Sequence, residues 1–116
     1  MRNFREYEIW QSAIEIAKEI YQLTDQFPTS EKYGLISQIQ RASVSIASNI
    51  AEGAARKSQK EFSQFLHIAQ GSSFEVETQL IIAQEIGYLK ETDMIVLFDK
   101  LHILQKQINH LVSLLK

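Results

Sequence analysis

Apolar residues recur along this chain every three to four positions, which is the period of an amphipathic α-helix. The first periodic stretch predicts a helix over residues 6–26. This helix should end by Phe27, because Pro28 disfavours the helical conformation in the residue before it. The residues predicted to point inward are Ile9, Trp10, Ala13, Ile14, Ala17, Ile20 and Tyr21.

The same period predicts a second helix from Tyr33 to Arg56 and a third from Ser58 to Ile86. Ser58 and Glu61 have the spacing of a capping box, in which the serine hydroxyl accepts a free backbone N–H. Gly87 suits the left-handed conformation that ends many helices. The inward residues are Leu35, Ile39, Ala42, Ile46, Ile50 and Gly53, followed by Phe62, Phe65, Leu66, Ala69, Val76, Leu80 and Ala83.

A fourth helix is expected after Thr92, which is a candidate N-cap. Four long helices with short connections predict an all-α fold, an antiparallel up-and-down four-helix bundle that forms one domain over residues 1–116. The inward residues of the fourth helix are Phe98, Leu101, Leu104, Ile108, Leu111, Val112 and Leu115.

The amino-acid composition indicates a globular domain and excludes several kinds of site. Hydrophobic residues make up 45% of the chain and charged residues 22%, as in ordinary globular domains. The chain has no cysteine, which excludes disulfides, thiolate metal sites and cysteine nucleophiles. It shows neither the apolar run of a signal peptide nor the roughly 20 apolar residues of a membrane span. We therefore expect a cytoplasmic protein with no membrane partner.

Polar residues flank the inward rows of the second and third helices. Folding the chain about the turn near residues 57 and 58 places Arg41 opposite Glu75 and Ser45 near Ser72. We predict an interhelical network, with an ion pair between Arg41 and Glu75, that fixes the register of these helices. An alternative is a small-ligand or active site that uses Arg41, Asn49, Glu52 and Glu75. The predicted network comprises Arg41, Ser45, Asn49, Glu52, Ser72 and Glu75.

Catalytic and metal-binding patterns are weak. A di-iron bundle needs two Glu-x-x-His motifs, whereas Asp99 and His102 give that spacing once, with aspartate. His67 and His110 are isolated in the sequence, and no serine has a paired histidine and acid. Phosphate-loop spacing is also missing. We therefore predict a non-enzymatic protein without a cofactor or metal.

Two surface features favour interactions. Arg56, Lys57 and Lys60 cluster at the second interhelical turn and are candidate nucleic-acid contacts, although an ordinary solvated turn is the alternative. The net charge of −2 is unlike that of a dedicated nucleic-acid binder.

Phe74 and Ile81 lie seven residues apart and outside the inward row of the third helix. Aligned exposed apolar residues predict a self-association interface.

A series of short motifs runs nearly the whole length of the chain: Phe4-Arg5, Trp10, Phe27-Pro28, Tyr33-Gly34-Leu35, Gln38 to Ala42, Ser45 to Gly53, Lys60-Glu61-Phe62, Phe65-Leu66, Ala69 to Ser72, Glu75, Glu77 to Leu80 and Gly87-Tyr88-Leu89. In these motifs the sequence resembles the bacterial four-helix-bundle family called 23S rRNA-intervening-sequence proteins, also labelled as a ribosomal protein family. Ala47 stands where the family often has proline.

The resemblance implies a left-handed up-and-down bundle that assembles as a homopentamer and serves as a protein or RNA interaction module. It also implies an alternative, a nucleic-acid-binding accessory factor similar to the pentameric accessory proteins of diversity-generating retroelements.

Overall fold

The computed structural model describes residues 2–115, which contain four α-helices, three short 3-10 turns and no strand. Each helix packs on its neighbours in the chain, and the last helix packs back on the first. The prediction of an all-α, antiparallel up-and-down bundle is confirmed, while its left-handed twist stays a prediction. The helices are α1 (Glu8–Thr24), α2 (Leu35–Ala54), α3 (Gln59–Glu85) and α4 (Ile95–Leu114).

The core is a continuous column of aliphatic side chains along the bundle axis. Its side chains stabilise the fold by roughly 1.5–3 kcal/mol each, the usual gain for burying a large apolar side chain. Ile16 is completely buried, whereas Tyr21, expected inside, is 46% exposed. The inward face of α1 is centred on Ile16 and Ile20, and this places Tyr21 at its edge. The largest fully buried side chains are Ile16, Ile20, Ile39, Ile46, Ile50, Phe62, Leu66, Leu80, Met94, Leu101, Leu104 and Ile108.

Both ends of α3 follow the sequence prediction. Ser58 caps its first turn by accepting the Glu61 backbone N–H at 3.1 Å. The Ser58 hydroxyl also donates to the Glu61 carboxylate at 3.1 Å. At the other end Gly87 has a φ of +90°, which a residue with a side chain rarely adopts. The backbone N–H of Tyr88 then donates to the carbonyl of Ala83 at 2.9 Å and closes a Schellman motif.

The other helix ends differ from the prediction. Thr92 does not cap α4, because it lies in the 3-10 turn Glu91–Asp93 and the helix begins only at Ile95. Asp93 holds that turn by accepting the backbone N–H of Lys90 at 3.0 Å. Both α1 and α2 are shorter at each end than predicted.

Candidate interaction surfaces

The contact between α2 and α3 carries a chain of neutral hydrogen bonds. Ser72 donates from its hydroxyl to the Ser45 hydroxyl at 2.9 Å. Asn49 donates from its side-chain nitrogen to the Ser45 hydroxyl at 2.9 Å and to the Ser45 carbonyl at 2.8 Å. Ser72 is buried, so its hydroxyl needs this partner. These bonds join the two helices at one height of the bundle.

Gly53 allows α2 and α3 to approach closely. A Cβ atom at position 53 would lie 2.7 Å from the Cβ of Phe65 and 3.0 Å from the Cδ1 of Phe62. Real Cβ atoms do not come so close to another side chain's first carbon, so any larger residue would push the helices apart. The sequence placed Gly53 on the inward row, but only the structure shows what it touches.

The charged residues at the edge of this contact, Arg41, Glu52 and Glu75, form no ion pair with one another in the described residues. Arg41 and Glu75 are exposed and line one shallow cavity of about 280 Å³ with Ser45. The expected ion pair between Arg41 and Glu75 is absent from residues 2–115. Glu52 also points to solvent. An ion pair between exposed side chains gains little over hydration, which is the physical reason that helical facing alone did not produce one.

Phe74 and Ile81 lie on the outer surface of α3, where they are 50% and 42% exposed. Lys60 and His67 continue the same row toward the start of the helix, and both are exposed. The spacing of seven residues is close to two helical turns, so the four side chains form one line. We call these four residues the α3 row.

The turn between α2 and α3 is basic. Arg56, Lys57 and Lys60 are exposed there, and Arg2 joins them by donating from Nη1 to the Arg56 carbonyl at 2.6 Å. The guanidinium of Arg2 lies over the ring of Phe62, 4.7 Å from its centroid. Sequence reasoning missed Arg2, although an up-and-down topology does bring the start of α1 to the end of the bundle that holds this turn.

The opposite end of the bundle is tied by a pair of residues that the sequence did not reveal. Glu31 accepts the backbone N–H of Leu35 at 3.1 Å and the hydroxyl of Tyr88 at 2.8 Å. The Leu35 bond first, and then the Tyr88 bond, lowers the pKa of Glu31 below its ordinary value. The same bond raises the pKa of Tyr88. This contact joins the α1–α2 connection to the α3–α4 connection.

Glu77 connects α3 to α4. Its carboxylate accepts the side-chain amide of Gln105 at 2.9 Å, and its second oxygen lies 3.2 Å from Nε2 of His102. The Gln105 bond is the main cause that lowers the pKa of Glu77. Seven residues before Glu77, about two turns along α3, Gln70 donates to the Asn109 side chain of α4 at 2.9 Å. These bonds set the register of α3 against α4.

An open groove runs between α1 and α4, and three surface cavities lie along it. Glu8 and Glu15 form part of its α1 wall. Ile103 and Val96 form part of its α4 wall, with 48% and 63% of their surface exposed. The ion pair that crosses it joins Lys100 Nζ to Glu19 Oε1 at 2.9 Å. We call this feature the α1–α4 groove.

Two further features are absent from residues 2–115. No group of three or more histidine, aspartate or glutamate side chains there is arranged to hold a metal ion. Among the same residues, no helix combines the length and the hydropathy that crossing a membrane requires.

The described residues define an antiparallel four-helix bundle whose polar chemistry lies in helix contacts and on outer surfaces. The chain belongs to the 23S rRNA-intervening sequence protein family, whose model matches residues 5–110. Its fold is similar to the crystal structure of a protein with unknown function from the S23 ribosomal protein family of Bacteroides thetaiotaomicron VPI-5482. That likeness has a TM-score of 0.82 at 22% sequence identity and covers 90% of this chain and 97% of the other. No curated protein matches the chain in sequence.

Proposed function

We propose that this chain is a non-enzymatic, homo-oligomeric bundle, a pentamer, which serves as an interaction module for protein or RNA. The observation that carries the proposal is the α3 row, in which Phe74 and Ile81 are both exposed and lie two helical turns apart on one face of the helix. Exposed apolar residues are common singly, but aligned ones are typical of protein contacts. The number of copies comes from the family resemblance.

Sedimentation velocity tests the self-association and its surface together. Phe74→Lys with Ile81→Lys should convert the oligomer into monomers, because burying two lysines in the contact costs several kcal/mol without partners. The matched control is Val44→Lys, which replaces a similarly exposed apolar residue on α2, 44% exposed. The control variant should assemble as the unmodified chain does. An unmodified chain that sediments as a monomer at micromolar concentration contradicts the proposal.

A pull-down from the native cell tests the interaction module. Proteins and nucleic acids recovered with the assembled chain, and lost with the Phe74→Lys and Ile81→Lys variant, would support a platform that requires the oligomer. Recovery of nothing beyond the chain itself would count against an interaction role. The identity of the recovered class distinguishes a protein partner from an RNA partner.

The second candidate function is a nucleic-acid-binding accessory factor, with Arg56, Lys57 and Lys60 as phosphate contacts. The position of Arg2 favours it, since this side chain adds a fourth cation to the same end of the bundle. In a ring the basic end would repeat once per subunit, and the fields would add. The overall charge of −2 opposes it.

Fluorescence anisotropy with a labelled single-stranded RNA tests this second candidate. Binding should weaken steeply with salt, and Arg56→Ala with Lys57→Ala should reduce both the affinity and the salt slope. Lys32→Ala with Lys90→Ala, at the opposite end of the bundle, is the matched control. Equal losses in both double variants, or no binding at low salt, would refute specific phosphate contacts at the basic end.

A further inference from the structure

A cavity of about 500 Å³ lies where α2 ends, beside the basic turn between α2 and α3. It is lined by Arg2, Ala54, Ala55, Arg56 and Lys57, and we call it the basic cavity. The two alanines contribute only methyl groups, so all the charged side chains of residues 2–115 that line it are cations. The basic cavity therefore suits an anion.

Arg2 is half-buried, and two contacts hold its side chain in the wall of the basic cavity. Its guanidinium lies over the ring of Phe62, 4.7 Å from the centroid, and its Nη1 donates to the Arg56 carbonyl at 2.6 Å. Stacking uses the face of the guanidinium, so the N–H groups along its edge that do not bond to Arg56 stay available to a ligand. Such an edge matches two oxygens of a phosphate group.

Arg56 is positioned by a ring of the same helix. Its guanidinium carbon lies 4.8 Å from the centroid of Phe65, which is three residues after Phe62 on α3. Residues with this spacing are neighbours on a helix surface, so the two rings support the two guanidinium groups from one side. Stacking also restricts both arginine side chains before a ligand arrives, and this reduces the entropy that binding costs.

The cations of the basic cavity are not neutralised by ion pairs. Arg2, Arg56 and Lys57 form no salt bridge within residues 2–115. Glu52 and Glu61 belong to the adjoining helix turns, but neither lines the cavity, and the Glu61 carboxylate accepts the Ser58 hydroxyl. The end of α2 adds a partial negative charge of roughly half a unit, which three cations exceed.

We propose that the basic cavity binds a phosphate monoester, which belongs either to a free nucleotide or to the 5′-phosphorylated end of an RNA. A monoester carries a charge of about −1.5 to −2 at pH 7. An internal phosphate of a nucleic acid carries a single negative charge, so three cations around one cavity favour the monoester. This inference extends the second candidate function to one particular phosphate, and it requires only one subunit.

Isothermal titration calorimetry with three adenine compounds tests the preference for a monoester. AMP carries a phosphate monoester, cyclic AMP carries a diester, and adenosine carries no phosphate. AMP should bind the unmodified chain about ten-fold more tightly than cyclic AMP, because it has the higher negative charge. Adenosine should bind more weakly than both. Equal affinities for AMP and cyclic AMP would overturn the proposal.

Arg5 provides a matched control for Arg2. It lies near the same end of the chain and over an aromatic ring, 4.9 Å from the centroid of Phe4, but it does not line the basic cavity. Arg2→Gln should weaken the binding of AMP about ten-fold, and Arg5→Gln less than about two-fold. Equal losses in these two variants would indicate a general attraction to positive charge and overturn the proposal.

Two further variants separate the geometry of the cavity from its charge and from folding. Arg2→Lys keeps the charge and loses the planar fork, so its affinity for AMP should lie between those of the unmodified chain and Arg2→Gln. Arg56→Gln keeps the backbone carbonyl that Arg2 contacts, and it should lose as much affinity as Arg2→Gln. Urea unfolding verifies that each variant is folded. A folded Arg56→Gln protein with unchanged affinity would overturn the proposal.

Fluorescence anisotropy distinguishes the two sources of the phosphate. A short single-stranded RNA, labelled at its 3′ end, is compared with a 5′-phosphate and with a 5′-hydroxyl. Tighter binding of the phosphorylated RNA than of both its hydroxyl form and AMP supports the cavity and assigns it to RNA ends. AMP that binds at least as tightly as the phosphorylated RNA supports the cavity and assigns it to free nucleotides.

The outcomes separate the basic cavity from the proposed functions. RNA binding that ignores the 5′-phosphate, together with equal affinities for AMP and cyclic AMP, would overturn the cavity while the second candidate function stands. Binding of AMP through Arg2 without binding of RNA at low salt would support the cavity and refute that function. The oligomeric state decides neither, because the cavity lies within one subunit.

Discussion

The α2–α3 contact and the α1–α4 contact are both made by antiparallel helices of one bundle, yet they are built from different side chains. Gly53 and a pair of hydrogen-bonded serines, Ser45 and Ser72, close the first contact. The second is crossed by the long side chains of Lys100 and Glu19 and is lined by surface cavities. Small residues let backbones approach, whereas long charged ones hold a cleft open.

This difference shows which helix contact is closely packed and which one leaves a groove open to solvent. The α2–α3 contact pairs the hydroxyls of Ser45 and Ser72 with each other, which fixes the register, and Gln79 Oε1 is its one buried polar side-chain atom without a hydrogen-bond partner among residues 2–115. The α1–α4 groove leaves Glu19 Oε2 and Gln107 Oε1 buried without hydrogen-bond partners among residues 2–115. Together with the exposed Ile103 and Val96, these acceptors make the groove the surface that would gain most from a partner.

The largest effect is expected from a methyl group at the close approach. Gly53→Ala should destabilise the fold by about 2 kcal/mol, since its Cβ would overlap Phe65 and only part of this cost is offset by better helix propensity. Gly71→Ala, in the interior of α3, is the control. Its new Cβ meets no described atom within 4 Å, so stability should rise by about 0.5–1 kcal/mol.

Urea unfolding at one fixed protein concentration measures both glycine variants. A Gly53→Ala protein as stable as Gly71→Ala would show that α2 and α3 are not held at the distance described. The α2–α3 contact would then be no more closely packed than the α1–α4 contact.

A smaller loss is expected from the hydrogen-bonded serines. Ser72→Ala should cost about 1 kcal/mol, because the half-buried Ser45 hydroxyl loses the donor that joins it to α3. Ser48→Ala, an exposed position on α2, should change the free energy of unfolding by less than about 0.5 kcal/mol. The denaturant midpoints of Ser72→Ala and Ser48→Ala measure this difference in stability. Equal midpoints would show that the hydrogen bond between Ser45 and Ser72 does not stabilise the fold.

The ion pair across the α1–α4 groove should matter less and should respond to solution conditions. Lys100 is 41% exposed, so Lys100→Met should cost no more than about 0.5 kcal/mol, and 1 M salt should abolish that cost. The bond to Glu19 raises the pKa of Lys100. The stabilisation that this ion pair gives is therefore fully present below the ordinary lysine pKa of 10.5. It is lost as the pH rises through the higher pKa that Lys100 has in the folded protein.

Thermal unfolding of Lys100→Met beside the unmodified chain, at low and high salt and at pH 8 and 11.5, checks this prediction. The neutral Ser72→Ala variant serves as its control, because the Ser45–Ser72 bond should not respond to salt. An effect of Lys100→Met that persists in high salt would mean that the α1–α4 contact is as closed as the α2–α3 contact.

The smallest effect is expected at Arg41. Because it forms no salt bridge in the described residues, Arg41→Ala should leave the free energy of unfolding within about 0.5 kcal/mol of the original. Urea unfolding measures this change. A loss of stability as large as that of Ser72→Ala would indicate that Arg41 forms the ion pair with Glu75 that the sequence predicts.

Much of the fold could be predicted from the sequence, because helical period is set locally by which residues are apolar. The four helices, the cap at Ser58 and the left-handed Gly87 followed from such local signals. The start of α4 did not, since Asp93 draws the preceding residues into a 3-10 turn. Tyr21 was placed inside because its spacing fits a broad apolar face, whose centre is fixed only by packing against the other helices.

The candidate sites were less predictable. Facing helix positions indicated the contact of Ser45 with Ser72, but they could not show whether Arg41 reaches Glu75 or stays hydrated. Glu31 with Tyr88, far apart in sequence, gave no signal, because their contact depends on how two connections fold against each other. Helical periodicity does not predict the α1–α4 groove either, because a groove depends on how completely side chains fill the space between two packed helices.

Light scattering of the purified, unmodified chain after size exclusion tests the central claim most directly. The account predicts a mass of about five times the 13.4 kDa of one chain at micromolar concentration, falling toward one chain when Phe74 and Ile81 are both changed to lysine. A mass of one chain for the unmodified protein across that concentration range would contradict the account.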